Sequence, residues 1–151
     1  MVFLMLISLT LGFEGGYSTP ATGFENISSG VVFSLYSLHR TGFTDMQLGL
    51  HIASHQGEHD GYTLNTYGVR TWFVKQSWRF SPEVSIGVDY VHRTLVQATE
   101  TGYAFTYSIG MLLNFRYNVM RLYPKVFYEG VTDFRDSGGF IGIALGVGYE
   151  F

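Results

Sequence analysis

The sequence contains no cysteine and little charge, since charged residues make up only 14% of its 151 positions. Without cysteine there is no disulfide framework and no thiolate metal site. The charged fraction lies well below the about 25% of ordinary soluble domains, so much of the surface must meet something other than water. The nine Lys and Arg residues are scattered, and the net charge is −3. This distribution provides no basic field for nucleic acid, and we expect no nucleic-acid partner.

Long hydrophobic runs are also scarce, although aromatic residues make up 17% of the chain and mean hydropathy is +0.14. Beyond residues 1–7, no run approaches the roughly 18 apolar residues of a membrane-spanning helix. Residues 1–7 fit two interpretations, the remnant of a signal peptide or the start of the first strand, because neither a basic n-region nor a cleavage site accompanies them. Spanning strands need only about 9–11 residues and hide their hydrophobicity in alternation. The composition therefore favours a membrane barrel.

The final stretch, Gly139–Phe151, shows this alternation most simply. Its even positions from 142 onward carry glycine or alanine and one carboxylate, Glu150. Its odd positions carry large side chains, namely Ile141, Ile143, Leu145, Val147, Tyr149 and Phe151. Because alternate side chains of a strand point to opposite faces, one face is wholly apolar and the other almost bare. This pattern is typical of a strand between lipid and a crowded barrel interior.

A terminal strand that ends in aromatic-x-Phe resembles the insertion signal of bacterial outer-membrane β-barrels. The resemblance implies that Tyr149 and Phe151 form this signal and that the barrel-assembly machinery is a partner during insertion. Residues 103–117 repeat the alternation with aromatic side chains at both ends and aliphatic ones between them. Such sorting is the girdle pattern of a lipid-facing strand.

Eight strands can be read along the chain, and the connections between them alternate in length. Long polar connections are predicted at residues 18–29, 55–62, 94–102 and 132–139, and short ones at residues 40–44, 81–83 and 118–121. In the strand predicted over residues 63–80, Trp72, Val74, Trp78 and Phe80 are expected to face outward. The chain resembles the OmpA transmembrane domain and OmpX. We predict a single domain over residues 1–151, an all-β, eight-stranded antiparallel up-and-down barrel in the outer membrane of a Gram-negative bacterium.

Charged side chains recur on the predicted inward faces in equal numbers of each sign. They are Glu14, Lys75, Arg79, Asp89, Arg116, Lys125, Glu129 and Glu150. A buried charge persists only when it is paired or hydrated, and an eight-stranded barrel is just wide enough to be filled by side chains. We therefore predict a paired network that plugs the interior, with a narrow water-filled pore as the alternative.

Catalytic and metal-binding patterns are incomplete, so we predict no catalytic residue and no cofactor. A lipid A deacylase needs Ser, His and a carboxylate together, but His92–Thr94 lacks the His-x-Ser-Asn pattern and Ser54 merely precedes His55. The stretch His55–His59 has the H-x-x-E-H spacing of one zinc-protease group, but its glycines predict a loop instead of the required helix. Surface metal binding by His51, His55 and His59 is a minor alternative.

These patterns predict a structural role or an interaction at the cell surface. The outer loops would contact a protein partner, and the barrel wall would contact the bilayer and lipopolysaccharide. An outer-membrane lipid-modifying hydrolase remains the main alternative of another class. A soluble barrel of lipocalin type is the third, and it requires an outward polar face.

Overall fold

The computed structural model describes residues 10–24, 26–40, 44–57, 61–95, 98–132 and 137–151. These residues form eight strands, the sixth of which is interrupted at Asn114 and resumes in the same register against the seventh. The strands are β1 Thr10–Thr22, β2 Ile27–Arg40, β3 Asp45–Gly57, β4 Thr63–Val74, β5 Phe80–Leu95, β6 Ala98–Leu113 with its continuation Phe115–Tyr117, β7 Met120–Thr132 and β8 Ser137–Glu150.

The strands close into an up-and-down antiparallel barrel, as predicted. Each strand pairs with its neighbours in the sequence, and β1 also pairs with β8, from Thr10 opposite Glu150 to Thr22 opposite Gly139. Among the described residues that face lipid, closure leaves no open sheet edge, as backbone groups in lipid require. Among the described residues, no helix combines the length and hydrophobicity needed to cross a bilayer.

The outward face of the barrel is apolar and the inward face is small or polar. In β8, Ile141, Ile143 and Leu145 are exposed, whereas Gly142 and Ala144 are buried. Exposed large apolar side chains occur in the same alternation on all eight strands. An outward apolar belt of this extent suits lipid, so the lipocalin alternative is wrong.

The strands extend further than the sequence predicted at the outer end of the barrel, which is the end with the long predicted connections. We call the opposite end the short-turn end. The predicted loop at residues 18–29 is mostly strand, since β1 runs to Thr22 and β2 begins at Ile27. The predicted loop at residues 94–102 is also mostly strand, with Leu95 paired to Ala98. These segments carry Ser, Thr and Gly, which resemble turn signals. Above a membrane, however, a paired strand no longer needs alternating apolar residues.

The predicted orientation of part of β4 is wrong. Trp72 and Val74 face the interior, with only 3% and 2% of their surfaces exposed. The connection lies at residues 75–79, not at residues 81–83, and Glu83 is buried within β5. Even-numbered residues face inward in β4, whereas odd-numbered residues face inward in β5. Placing the turn at residues 81–83 extended the parity of β5 back into β4. Because side chains alternate with a period of two, this reversed the predicted facing of Trp72 and Val74.

The interior is packed in layers along the barrel axis. The layer nearest the short-turn end contains Tyr36, Trp72, Val74, Leu112 and Tyr123. The middle layer contains Val32, Ala53, Phe127 and Ala144. The layer nearest the outer end contains Ile27, Leu64, Ala104, Val131 and Phe140. Glycine makes room for the aromatic rings: a Cβ at Gly146 would overlap the ring of Tyr123. Small residues on one strand thus permit large ones on another.

Candidate functional site

The central charged cluster of the barrel is built around Arg70 of β4. Its guanidinium donates from Nη1 to Glu129 Oε2 at 2.7 Å, and from Nη2 to Glu129 Oε1 at 2.8 Å and to Asp89 Oδ2 at 2.5 Å. Arg70 is 1% exposed and Asp89 is fully buried. The guanidinium thus bridges β4, β5 and β7 across the interior. A bidentate geometry of this kind is among the strongest that arginine makes with carboxylates.

His51 of β3 adjoins this cluster and is also buried. Its Nδ1 lies 3.1 Å from Ser34 Oγ, and its Nε2 lies 3.6 Å from Glu129 Oε2. Ligand atoms of His51, Asp89 and Glu129 all lie within 4.8 Å of one another, which is a spacing that a metal could use. Arg70 already bonds both carboxylates, however, and its positive charge occupies the place of a cation. The arrangement is therefore that of an ion-pair cluster.

A second charged cluster lies nearer the short-turn end and is centred on Lys125 of β7. Its ammonium pairs with Glu14 of β1 at 2.5 Å and with Glu83 of β5 at 2.9 Å. Tyr123 donates a hydrogen bond to Glu14 at 3.3 Å, and the hydroxyl oxygens of Tyr123 and Tyr36 are 2.5 Å apart. Each charge in the cluster has a partner of opposite sign, which is the condition under which buried charges are tolerated.

His55, which the sequence placed in a surface loop, is instead buried near the outer end of β3. Its Nε2 lies 2.8 Å from Ser18 Oγ, and its ring stacks on Phe140 with 4.1 Å between the centroids. Phe24 also stacks on Phe140, with 4.8 Å between the ring centroids. His59, the third histidine of the predicted metal site, lies outside the described residues. His51 and His55 therefore belong to the packed interior and not to a solvated loop.

The structure brings together four of the eight predicted network residues in the two clusters: Glu14, Asp89, Lys125 and Glu129. Glu150 and Arg116 pair with each other at the short-turn rim, where Arg40 joins them. Lys75 and Arg79 lie in the connection between β4 and β5, so their assignment to an inward strand face is wrong.

The predicted network omitted four buried charged residues, Asp45, Arg70, Glu83 and Arg121. Arg70 was detectable, because it shares its parity with Leu64 and Thr66, which also face inward. Glu83 was hidden by Pro82, which was read as part of a turn. Arg121 was assigned to a turn, whereas it already belongs to β7.

The residues considered for a hydrolase do not form a catalytic arrangement. Ser54 is exposed and donates to Asn65 Oδ1 at 2.7 Å, whereas His55 points to the opposite face of β3. His92 and Thr94 are two residues apart on the same face of β5, and His92 Nε2 lies 3.5 Å from Thr94 Oγ1. A nucleophile needs a base within about 2.6–3.2 Å and a third group that orients this base. Neither pair has this combination among the described residues.

The outer end has one conspicuous backbone feature, the hairpin formed by β5 and β6. β6 pairs with β5 from Ala98 onward, but its pairing with β7 begins only at Phe105, opposite Thr132. Within the described chain, the segment Ala98–Ala104 therefore has a strand neighbour on one side only. Its side chains up to Tyr103 are exposed, and Tyr103 is 74% exposed. We call this segment the β6 edge.

Comparisons with solved structures identify the fold. The chain is similar to the N-terminal β-barrel domain of Pseudomonas aeruginosa OprF, at 15% identity and a TM-score of 0.60, over 94% of this chain and 97% of that one. It is similar to Neisserial surface protein A at 9% identity and a TM-score of 0.63, with coverages of 95% and 97%. It is also similar to Ail, the attachment invasion locus protein of Yersinia pestis, at 14% identity and a TM-score of 0.58, over 95% of this chain and 97% of that one.

No protein-family profile matches the sequence, and no curated protein matches it significantly. At these identities the structural likenesses establish the fold. That fold is the small eight-stranded barrel of bacterial outer membranes, and the apolar belt of this chain agrees with an outer-membrane location.

Proposed function

We propose that this chain is an outer-membrane barrel whose role is interaction at the cell surface, with the β6 edge as the contact site. The observation that carries the proposal is that, among the described residues, Ala98–Ala104 in the projecting hairpin has a strand neighbour on one side only. A strand edge presents a row of backbone donors and acceptors that another extended chain can pair with. The partner would therefore be a protein segment in extended conformation.

The side chains of the β6 edge suit such pairing. Thr99 and Thr101 are β-branched and lie on the outward face with Tyr103, and each is exposed. Arg93 lies opposite Glu100 in the hairpin, so the opposed charges support the projection above the membrane. A small cleft of about 140 Å³ follows the edge down to Val131 and could accept an apolar side chain of the bound segment.

The interior supports a scaffold role for the barrel wall. The two charged clusters and the outer apolar layer fill the cross-section with paired charges and packed side chains. This filling favours a plugged interior over a narrow pore. Two of the similar structures carry names that refer to the surface or to attachment, and this agrees with an interaction role.

A peptide-display selection against the purified barrel tests the proposal. We expect the selected peptides to be extended and β-prone, and to bind less well when Thr99 and Thr101 are both replaced by lysine, because edge lysines oppose strand addition. The matched control places lysines at Thr19 and Ala21, which are exposed on β1 at the same end. This control should leave binding unchanged.

Backbone pairing has a second signature that does not depend on the barrel variants. N-methylation of alternate amides along one side of a selected peptide should abolish its binding, whereas methylation of the other side should not. Peptides that bind the lysine variant as well as the original, or that tolerate methylation on both sides, would contradict a role for the β6 edge.

A further inference from the structure

The lipid-facing wall of the barrel contains a groove that lies apart from the charged clusters and from the β6 edge. It crosses β6, β7, β8 and β1 on their outward side, and its volume is about 620 Å³. The outward side chains along it are apolar or aromatic, among them those of Tyr17, Phe80, Met111, Val126, Ile143 and Leu145. We call this feature the wall groove. Its volume lies within the range of about 300–1,000 Å³ that is usual for ligand sites.

The groove exists because small residues interrupt a belt of large side chains. Gly15 has no side chain, whereas its outward neighbours on β1, Phe13 and Tyr17, are large and exposed. Leu145 of β8 pairs with Gly15 on one side and with Pro124 of β7 on the other. Large side chains on the adjoining strands therefore flank a depression that starts at Gly15.

Pro124 makes the floor of the groove irregular as well. Proline has no N–H to donate to the ladder, and its short ring closes onto its own backbone. The pairing of β6 with β7 is interrupted beside it, since it stops after Leu112 and resumes at Phe115. The depression is therefore set by the backbone as well as by the size of the side chains.

The length and inclination of the wall groove match one leaflet of a bilayer. Its border nearest the short-turn end runs from Phe80 of β5 to Gly15 of β1 across four strand spacings of about 4.8 Å, which gives about 19 Å. Because strands of membrane barrels are tilted by about 45°, a line across them climbs about 13 Å through the membrane. One leaflet contributes roughly 15 Å to the hydrocarbon core of about 30 Å. An acyl chain of one leaflet can therefore follow the groove over most of its length.

The position of the groove in the apolar belt determines what can fill it. Water is excluded, because a bound water molecule needs two to four polar partners, as a rough rule, and the groove is lined by apolar groups. An empty groove would leave its lining atoms without neighbours and forfeit their dispersion attraction. A second barrel presents a convex wall, which cannot enter a concave groove along its length. A hydrocarbon chain of the surrounding lipid is narrow and flexible enough to do so.

We propose that the wall groove binds one acyl chain of a phospholipid from the leaflet on the short-turn side, in preference to the rest of the wall. A chain in the groove contacts protein below and on both flanks, whereas a chain on an even stretch of wall contacts protein on one side. Since lipid surrounds the barrel everywhere, this preference rests on packing and not on the hydrophobic effect. The chain enters beside Phe80, the first residue of β5, and runs toward Tyr17.

Photolabelling of the folded barrel in vesicles tests the proposal. The vesicles consist of phosphatidylcholine with a small proportion of the same lipid carrying a diazirine in one acyl chain, and mass spectrometry after illumination and digestion locates the label. We expect label on Met111, Val126 and Ile143 to exceed that on two reference residues by about threefold or more, since more protein atoms surround the chain there. The reference residues, Leu50 and Val69, are exposed at a comparable distance from the short-turn ends of β3 and β4.

Gly15→Leu fills the groove and should lower this label to the level of the reference residues. The nearest atoms to a Cβ at Gly15 belong to the Phe33 ring at 3.4 Å, which is van der Waals contact, so the outward face can accept a side chain. Thr71→Leu is the matched control, because it also adds an apolar side chain to the outward face, but on β4 and away from the groove. It should keep the excess label. Comparing the same residues between variants removes differences in the intrinsic reactivity of the side chains.

Leu145→Phe keeps the experiment decisive if Gly15→Leu does not show heat-modifiable migration on a gel. Its ring narrows the groove from β8, so the label on Met111 and Val126 should fall toward the reference level. Even labelling around the wall of the original barrel, or excess label that persists in the folded groove variants, would overturn the proposal.

Sedimentation in detergent distinguishes the acyl chain from a second copy of the barrel. We expect the original and Gly15→Leu to sediment alike as monomers. A dimer of the original that Gly15→Leu dissociates would assign the groove to contact between barrels and refute the acyl-chain proposal. None of these results depends on the β6 edge, which lies at the outer end.

Discussion

Replacement of Arg70 by methionine should destabilise the barrel more than any other single loss of an arginine that we would test. Methionine fills a similar volume, but it leaves Asp89 and Glu129 buried without the guanidinium that bonds both. Removing one partner from a buried ion pair typically costs about 3–5 kcal/mol of the free energy of unfolding. We expect a loss in this range.

Arg79→Met is the matched control for this prediction. Arg79 is exposed in the connection between β4 and β5, so its replacement should change the free energy of unfolding by no more than about 0.5 kcal/mol. The sequence alone assigned Arg79, and not Arg70, to the interior network. The two variants therefore distinguish the structural assignment from the sequence-based one.

Urea unfolding in lipid vesicles provides the measurement, followed by tryptophan fluorescence and by gel mobility with and without heating. Glu129→Gln should cost more stability than Asp89→Asn, because Glu129 accepts two hydrogen bonds from Arg70 and Asp89 accepts one. A triple variant in which all three charges are neutralised should recover part of the loss, since no carboxylate is then left uncompensated. If Arg70→Met proves as stable as Arg79→Met, the buried cluster is not what stabilises the interior.

Three further predictions concern the wall and the interior packing. Met111 faces outward, so Met111→Arg should cost about 2–4 kcal/mol in vesicle unfolding experiments, and a neutral result would contradict its contact with lipid. Gly146→Val should displace the Tyr123 ring and cost about 1–3 kcal/mol, measured in the same way. Phe151→Ser should lower the amount of folded barrel in outer-membrane fractions if Tyr149 and Phe151 form an insertion signal, and unchanged assembly would argue against this role.

The strand pattern could be predicted from the sequence because lipid imposes a simple rule on the barrel wall. Every strand that crosses the bilayer must place apolar side chains outward, so alternation marks each crossing in β5, β6 and β8. Beyond the membrane, strands no longer need apolar side chains on their outward face. Above it, the polar segment Ala98–Gly102 pairs as strand without any outward hydrophobicity, and its composition suggested a loop.

The interior could be predicted only in part, because a side chain inside a narrow barrel is selected by its neighbours across the axis. Glu14 and Lys125 belong to distant parts of the sequence, and only the closed register brings them together. The position of one turn decides the parity of a whole strand. When the turn after β4 was placed at Pro82, Trp72 was assigned to lipid and Arg70 went unnoticed.

The distribution of buried polar groups also separates the two ends of the molecule. At the outer end the interior is closed by apolar side chains packed around Phe140. At the short-turn end a cavity of about 270 Å³ is lined by charged side chains, among them Arg40, Arg116 and Glu150. The filled middle, with Arg70 and Lys125 in paired clusters, isolates one end from the other. We therefore expect a substitution at one end to leave the packing at the other end unchanged, so that variants at one end can serve as controls for the other.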